Sequence, residues 1–556
     1  MKSLRETVEK FAYSHTEYIL NLVDNEGEKA TLGGYPCTID HEGFGAGTLL
    51  KCAVRLYLKE DNTEKKEKLK SQIVKFSYMI NEDTPLETWG KLALLGALND
   101  LKSNKMLDII PSEMIELFRK KTDYTDFFDK ATVTIPKSCG KPTNYYHVAL
   151  SIATLRELLG FDEEGMSEKI ADKLITIMKN NSGDGWMDET PPHGRFDSYS
   201  MGSYRAVSEA LSLRGKDIPD FILRNAKKSA MIYFAARNRK GHGFKYGRSL
   251  SIYGETGALA QVTFALKHRL IEEALRDEAI SYIIHICDRL INFWFNKEMN
   301  SFDIWTGYRS TDVYRGIDRL LCINLEMCMS LMTTLEEFTR LGIDNYIPKN
   351  DVSLPEKWEI HKTEFIKEPS KARSLYVLRR GEHSFMLPLV GVVSDKPDAI
   401  INDTYFPFPT EQEFVEAPVW RYQPFLVPEV VFEKGKFALP IEAFETIEDN
   451  YTNDGIIITA KGKMIDSDRK LTDVDFEIKY IFCGAKITVR FEIMKPYKSA
   501  RILFAARDTS YVSFIGAERE EISDVSNDRS FKAACGGIRK CKTAYFNGNI
   551  AYEISL

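Results

Sequence analysis

The chain has 556 residues, 44% hydrophobic and 28% charged, an ordinary balance for a globular protein with room for roughly two to four domains. Its 75 Lys and Arg against 81 Asp and Glu leave a net charge of -6, which argues against a nucleic-acid partner, since such proteins carry a basic surplus or stripe. No run of about 18 apolar residues occurs, so no membrane span is expected, and the charged, helix-periodic start MKSLRETVEKFAYSHTEYILNLVDNEG lacks the apolar core of a secretory signal, pointing to a cytoplasmic location.

From Met1 to about Pro348 the pattern is helical. Stretches such as SEKIADKLITIMKNN repeat apolar residues at Ile170, Leu174, Ile175 and Met178, the spacing of one buried face. Six times a short cluster of Gly, Thr, Asn, Asp or aromatic residues runs straight into such a stretch. The clusters are Gly43-Phe44-Gly45-Ala46-Gly47-Thr48, Glu87-Thr88-Trp89-Gly90, Thr143-Asn144-Tyr145-Tyr146-His147, Tyr199-Ser200-Met201-Gly202-Ser203-Tyr204, Glu255-Thr256-Gly257 and Arg315-Gly316-Ile317-Asp318. They recur every 40 to 65 residues or so, the mark of a repeated supersecondary unit. Six helical hairpins that must bury their faces on one another can close into an (α/α)6 toroid. The clusters then line one end of the ring.

Near Pro348 the periodicity changes. After IPKNDVSLPEKWEIHKTEF come short period-two runs: SLYVLRRG, SFMLPLVGVVS, GIIITAKGKMI, FEIKYIFCG, AKITVRFEIM and ARILFAAR. Turn signals such as Thr452-Asn453-Asp454-Gly455 bound them, as in an antiparallel sheet stack. The expected organisation is an α+β multidomain chain: an (α/α)6 toroid catalytic domain over 1–350, a linker over 351–365, and a β-sandwich over 366–556. The last 40 or so residues resist assignment. The nine cysteines are scattered singly, with no metal spacing, and read as reduced core thiols such as Cys52, Cys322 and Cys328.

Four loops carry groups suited to chemistry. The densest runs from Asp184 through Trp186, Asp188, His193, Arg195 and Asp197 to Tyr199, with Tyr204 beyond it. An indole offers a flat apolar face to a sugar ring, and the charged groups take its hydroxyls or a carboxylate. Asn144 and His147, with Tyr146 between them, stand three apart and share a helix face. An amide beside an imidazole can polarise a carboxylate and move a proton. Arg248 can clamp a carboxylate, Tyr253 can serve as acid or base, and Glu255 opens a helix. The last loop holds Asp303, Trp305, Tyr308, Asp312, Arg315 and Asp318. His41-Glu42 and Trp89 complete the ring end. Plain packing or capping accounts equally well for several of these, Glu255 and Asp318 above all. No phosphate loop, dinucleotide fingerprint or zinc signature is present.

The segments GDGWMDETPPHGRFDSYSMGSYRA and FKYGRSLSIYGETGALA resemble those of a bacterial toroid family of unknown function, whose members carry a "DGWY…DGP…FDYYN…FH" loop and a "GRSLTYR" segment. The resemblance covers roughly residues 10–350. This chain has Ile252-Tyr253-Gly254 for the usual Thr-Tyr-Arg, and Ser198-Tyr199-Ser200 for the Tyr-Tyr-Asn. The resemblance implies membership of the six-hairpin superfamily, which holds exo-acting glucuronidases and unsaturated uronyl hydrolases. With the β-domain it also looks like the heparinase and alginate-lyase type of polysaccharide lyase.

Three readings follow, each with an oligosaccharide or polysaccharide as partner and no cofactor. The first is hydrolysis of a uronate-containing oligosaccharide by a carboxylate pair, Asp188 or Asp197 with Glu255 or Asp312. The second is β-elimination with Asn144, His147, Arg248 and Tyr253. The third is a non-catalytic glycan-binding toroid. Binding roles fall to Asn144, Tyr146, Asp184, Trp186, His193, Arg195, Tyr199, Tyr204, Arg248, Trp305, Tyr308 and Arg315. The β-domain either walls the cleft or mediates homo-oligomer formation.

Overall fold

The computed structural model describes residues 2–39, 43–139, 143–187, 198–245, 252–306, 309, 316–365, 372–390, 407–415, 425–432, 437–441, 444–466, 468, 470–528, 531–533, 535–536 and 539–556. Among the described residues twelve α-helices occupy the N-terminal part: α1 (Leu4–Glu26), α2 (Gly45–Lys59), α3 (Thr63–Met79), α4 (Thr88–Ser103), α5 (Ser112–Lys121), α6 (Tyr145–Leu159), α7 (Met166–Asn181), α8 (Ser198–Leu213), α9 (Asp220–Ala235), α10 (Ile252–Lys267), α11 (Arg276–Arg289) and α12 (Leu320–Arg340). The even-numbered helices form a closed inner ring. Going round it, α2 packs on α4, α4 on α6, α6 on α8, α8 on α10, α10 on α12, and α12 back on α2. These are the helices that the six sequence clusters open, so the toroid is as expected.

Local chemistry sets the helix ends and their spacing. Ser3 and Glu6 form a reciprocal capping box at the start of α1, the Ser3 side chain accepting from the Glu6 N–H at 3.3 Å and Glu6 accepting from the Ser3 N–H at 2.9 Å. Gly160, at φ 79°, ends α6 in the left-handed conformation. The glycines that open α2 and α4 have a different role. A Cβ placed on Gly90 would lie 2.0 Å from the Gly43 carbonyl oxygen, and one on Gly47 would lie 2.0 Å from that of Gly90. Only a bare Cα lets the two helix starts approach this closely. The ring is sealed where its first and last helices meet: His15 Nε2 lies 2.8 Å from Asn324 Oδ1, both residues buried, and the Asn324 amide donates to Ser301 Oγ at 2.8 Å. Burial lowers the His15 pKa, so this bond is made by the neutral ring.

Three two-residue hairpins sit between helices: β1 (Thr31–Leu32) with β2 (Tyr35–Pro36), β3 (Ser182–Gly183) with β4 (Trp186–Met187), and β5 (Phe295–Asn296) with β6 (Ser301–Phe302). The β-domain starts with β7 (Glu359–Glu364), β8 (Ser374–Arg380) and β9 (His383–Leu389), a three-stranded antiparallel sheet. Then come β10 (Glu429–Val431), β11 (Phe437–Leu439), β12 (Thr446–Thr452), β13 (Gly455–Asp466), β14 (Leu471–Cys483), β15 (Lys486–Ile493), β16 (Ser499–Ala506), β17 (Val512–Ile515), β18 (Arg519–Asp524), β19 (Lys540–Phe546) and β20 (Ile550–Ser555). They make one 11-stranded antiparallel sheet in the order β17-β20-β15-β14-β13-β11-β10-β16-β19-β18, with β12 beside β13. The sheet curls until its two ends face each other. Phe514 on β17 meets Phe546 on β19 edge-on at 6.2 Å, and Lys542 on β19 donates to the Val512 carbonyl at 2.9 Å. The sandwich is therefore one curled sheet closing on its own core. The described parts of all six runs named from the sequence contain strands, residues 391–394 of SFMLPLVGVVS lying outside the described residues, and the unassigned C-terminal stretch supplies β18, β19 and β20.

The segment 351–365, expected as a linker, carries β7 in its second half, because β7 pairs along its whole length with β8. Strands β8 and β9 of the small sheet are buried on both faces. Leu375 and Val377 of β8 and Met386 of β9 belong to the toroid core. Their alternate neighbours Tyr376, Leu378, Phe385 and Leu387 belong to the β-domain core. Successive side chains of a strand point to opposite faces, so this sheet is a wall shared by two cores. No disulfide joins any of the nine cysteines; Cys483 is exposed at the end of β14 and Cys139 is half-buried, whereas the other seven are buried.

Two outcomes follow. Gly90→Ala should lower stability by about 1–3 kcal/mol through overpacking, whereas Gly548→Ala, whose Cβ would meet nothing within 4 Å, should change it by less than about 0.5 kcal/mol; urea unfolding of both variants checks the contrast. A fragment ending at residue 350 should lack cooperative unfolding and bind a hydrophobic dye, since it uncovers the toroid's share of the wall. A sharp thermal transition near that of the full chain would overturn the shared-wall account.

Candidate functional site

The described end of the ring, where the inner helices begin, brings α4, α6 and α8 together. His147, in the first turn of α6, is buried, and its Nδ1 lies 2.9 Å from Ser203 Oγ on α8. Ser203 lies one turn after Tyr199, whose carbonyl accepts from the same hydroxyl at 3.4 Å. The indole of Trp89, at the start of α4, lies 6.0 Å from the imidazole, centroid to centroid. Three neighbouring helices thus fix one histidine ring.

Asn144 occupies the N-cap of α6. Asn at this position normally accepts from the N–H groups of the first turn, but here the side chain makes no capping bond. It is 3% exposed, and its Oδ1 has no hydrogen-bond partner among the described residues. A buried amide end left unpaired costs about 1–3 kcal/mol. The atom sits one helical turn before His147.

A second polar cluster lies where the toroid meets the β-domain. Glu255 on α10 is fully buried and accepts from Arg289 Nε at 3.0 Å. The same guanidinium reaches Glu413 of the β-domain at 2.8 Å. Burial pushes the Glu255 carboxyl up to about 7, and Arg289, shared between two carboxylates, offsets that only in part. His242, also fully buried, has no hydrogen-bond partner among the described residues at either ring nitrogen; Glu413 lies 3.9 Å from its Nε2. Burial, with Arg289 and Lys245 nearby, holds its pKa well below the usual range. Lys245 donates to the Ser384 carbonyl, and burial brings its pKa down to about 8. Across the seam His383 Nδ1 lies 2.8 Å from Glu411 Oε2. Gly243 and Gly254 allow this proximity, because a Cβ on Gly243 would meet the Gly254 carbonyl oxygen at 2.2 Å.

The other nominated residues scatter in role. Trp186, expected as a solvent-facing sugar platform, is fully buried, with its ring against Phe244 at 5.8 Å and Phe365 at 5.0 Å. Tyr204 is also fully buried and bonds Ser182 Oγ and the Trp186 carbonyl, which fixes the β3–β4 hairpin. Asp184 is ion-paired with Lys228 at 2.7 Å on the surface. Tyr146 packs edge-on against Phe128 at 5.9 Å, and its hydroxyl accepts from the Ile135 N–H at 3.4 Å. Asp303 accepts from the N–H groups of Trp305 at 3.1 Å and Thr306 at 2.9 Å, so it braces its own loop. Asp318 lies exposed in a single 3-10 turn before α12 and makes no cap. Tyr253 is half-buried in the first turn of α10. Asp188, His193, Arg195, Asp197, Arg248, Tyr308, Asp312, Arg315 and the His41-Glu42 pair lie outside the described residues.

Sequence reading passed over Ser203, His242, Lys245, Arg289, Glu411 and Glu413. One signal was available: Glu255 in ETGALAQVTFAL and Arg289 in IIHICDRLINFWF are charges set in apolar helical runs, and buried charges need partners. Among the described residues no group of three or more His, Cys, Asp or Glu side chains converges as metal ligands would. No described helix is long and apolar enough to cross a membrane.

No family model matches the chain, and no curated protein does. Among solved structures it is similar to heparinase III, with a TM-score of 0.43 and 9% identity over 92% of this chain and 76% of that one. It is also similar to a glycosyl hydrolase family 88 protein from Bacteroides vulgatus, with a TM-score of 0.36 and 7% identity over 58% of this chain and 99% of that one. A possible member of the GH105 family from Salmonella enterica gives a TM-score of 0.39 and 11% identity over 60% and 94%. These scores are low; the architecture rests on the helices and strands themselves.

The folded chain holds the Glu255 proton up to a pH of about 7, against an ordinary value of 4.5. The contribution of this group to stability is therefore fully present below pH 4.5 and is lost as the pH rises towards 7. Glu255→Gln, which stays neutral, should flatten that part of the profile. Urea midpoints measured at intervals from pH 4 to pH 8 read it out, and an unchanged slope in the variant would show that Glu255 ionises normally.

Proposed function

We propose that the chain is a carbohydrate-active enzyme that cleaves a uronate-containing oligosaccharide by β-elimination at the end of the ring where the inner helices begin. The observation that carries this reading is the Asn144 amide, buried at a helix N-cap it does not cap, one turn from an imidazole oriented by Ser203. Elimination needs two things of a protein. A group must take up the charge that builds on the substrate carboxylate as the adjacent C5–H bond weakens, and a base must remove that proton. Turning the Asn144 amide about its last bond presents Nδ2 to a carboxylate oxygen. His147 or Tyr199, on neighbouring helices and both bonded to Ser203, would take the proton. The electron pair of the C5–H bond becomes the C4–C5 double bond, the C4–O bond breaks, and the leaving oxygen is protonated. No water is added. Since only a uronate has a proton made acidic by a neighbouring carboxylate, the mechanism itself selects the acidic sugar. Arg195, Arg248 and Arg315 from the sequence would serve its carboxylate.

Hydrolysis is the second reading, favoured by one observation: a carboxyl pushed up to about 7, as at Glu255, is the kind of group that serves as general acid. Its partner would come from Asp188, Asp197 or Asp312.

Incubation with uronate oligosaccharides should raise the ultraviolet absorbance of an unsaturated product, with no mass gained across the products. His147→Gln and Asn144→Ala should each lower kcat by about 10²–10⁴-fold with the melting temperature little changed. Products that together carry one added water, without absorbance, would replace elimination by hydrolysis.

A further inference from the structure

A cavity of about 380 Å³ lies among the inner helices α2, α8, α10 and α12. In the inner ring α2 and α8 stand three places apart, directly across from each other, so a cavity touching both lies on the axis of the toroid. The exposed residues of its lining, Glu209, Lys267 and Thr333, fall in the later halves of their helices, so it opens on the face opposite Asn144 and His147.

The lining holds four cations, Lys51 and Arg55 of α2, Arg205 of α8 and Lys267 of α10, against two carboxylates, Glu209 and Glu337. Acids behind the lining do not close the gap. Arg205 has Glu209 at 2.8 Å and Lys51 has Asp100 at 2.5 Å. Glu336, however, is divided between Arg55 at 3.0 Å and Lys59 at 3.3 Å, and Glu337 between Lys267 at 3.2 Å and Arg340 at 2.5 Å. Counting the lining and its ion-pair partners among the described residues, six cations face four carboxylates, a surplus of two positive charges. Lys51 and Arg55 stand one helical turn apart, where like charges repel. Burial lowers the Lys51 ammonium below its ordinary value, and Arg55 adds to that shift while Asp100 opposes it. Capping of helix dipoles does not explain the set. Only Lys267 sits in the last turn of its helix, where a cation answers the dipole, and the other three lie further in.

We propose that this bore is an anion site, and that it takes a tetrahedral oxyanion, phosphate or sulfate, either free or as the ester group of a small sugar. Cations on three helices approach the bore from three sides. A tetrahedral ion offers oxygens in all those directions, whereas a carboxylate offers two in one plane. Ammonium carries three donors and guanidinium five, so groups already paired with protein acids keep N–H bonds to give, and such charge-assisted bonds are the strong ones. Leu259, Phe264 and Met329 supply an apolar side against which the body of an ester can lie. The volume lies in the usual range for small-molecule sites, about 300–1,000 Å³.

The test is calorimetric titration of the full chain at low ionic strength with sodium phosphate, sodium sulfate, glucose 6-phosphate, glucose and glucuronate. At least one of the three oxyanions should bind, and added sodium chloride should weaken the binding. Arg205→Gln and Lys267→Gln should each weaken it about tenfold, the loss of one charge-assisted hydrogen bond. Lys267→Arg, which keeps the charge, should bind as the unaltered chain does. Thermal melts confirm that the variants fold; if one does not, the other carries the test. His147→Gln should leave oxyanion binding unchanged, which separates this site from the proposed catalytic one. Phosphate binding as tightly as the sugar phosphate identifies the ion itself as the ligand, and a tighter sugar phosphate shows that the apolar side reads the sugar. No heat with any of the three oxyanions, tighter binding of glucose or glucuronate, or binding indifferent to both Gln variants would overturn the proposal.

Discussion

The structure depends on a three-stranded sheet with no free face. β7, β8 and β9 stand between the helical ring and the curled sheet, and β8 and β9 send alternate side chains into each core. The toroid needs this wall to cover its flank, and the curled sheet needs it as the partner that closes its interior. Both needs are met by the same backbone, so the register of β8 against β9 is fixed twice over.

Charge reinforces what the wall begins. Arg289 on an outer helix holds Glu255 of an inner helix and Glu413 of the β-domain at once. Burying the Arg289 and Glu255 side chains costs several kcal/mol for each charge before any attraction is counted, and such a pair persists only if its geometry is good. Residues 243–245 are held in the same seam by the Lys245 bond to Ser384 and by the close contact of Gly243 with Gly254. The sequence after them contains Arg248 and Tyr253. The β-domain thereby anchors one of the segments that open the inner ring.

Much of the ring was legible because its signals are local. Glycine-rich starts and apolar helical runs recur at a regular period, and each inner helix begins where such a cluster ends. The glycines proved informative for a reason not visible in one dimension: Gly43, Gly47 and Gly90 lie against one another's backbones. The strands were legible as runs, but their sidedness was not. SLYVLRR and SFMLPL are nearly continuous in apolar character, the mark of a strand covered on both faces, and that feature was absorbed into the expectation of an ordinary sandwich. Partnerships made across long stretches of chain were illegible. Nothing near Glu255 names Arg289 or Glu413, and nothing near His147 names Ser203. Trp186 shows the opposite failure: its setting among acids suggested a sugar platform, but its ring is packed against Phe244 and Phe365.

The shared wall also governs how the molecule can move. Two bodies that meet across a thin, separable contact can hinge, and many enzymes admit substrate that way. Here a swing of the β-domain would have to drag Leu375, Val377 and Met386 out of the toroid core, or tear Tyr376, Leu378, Phe385 and Leu387 from the other. Interiors packed this closely do not deform by degrees. The two bodies therefore move as one frame.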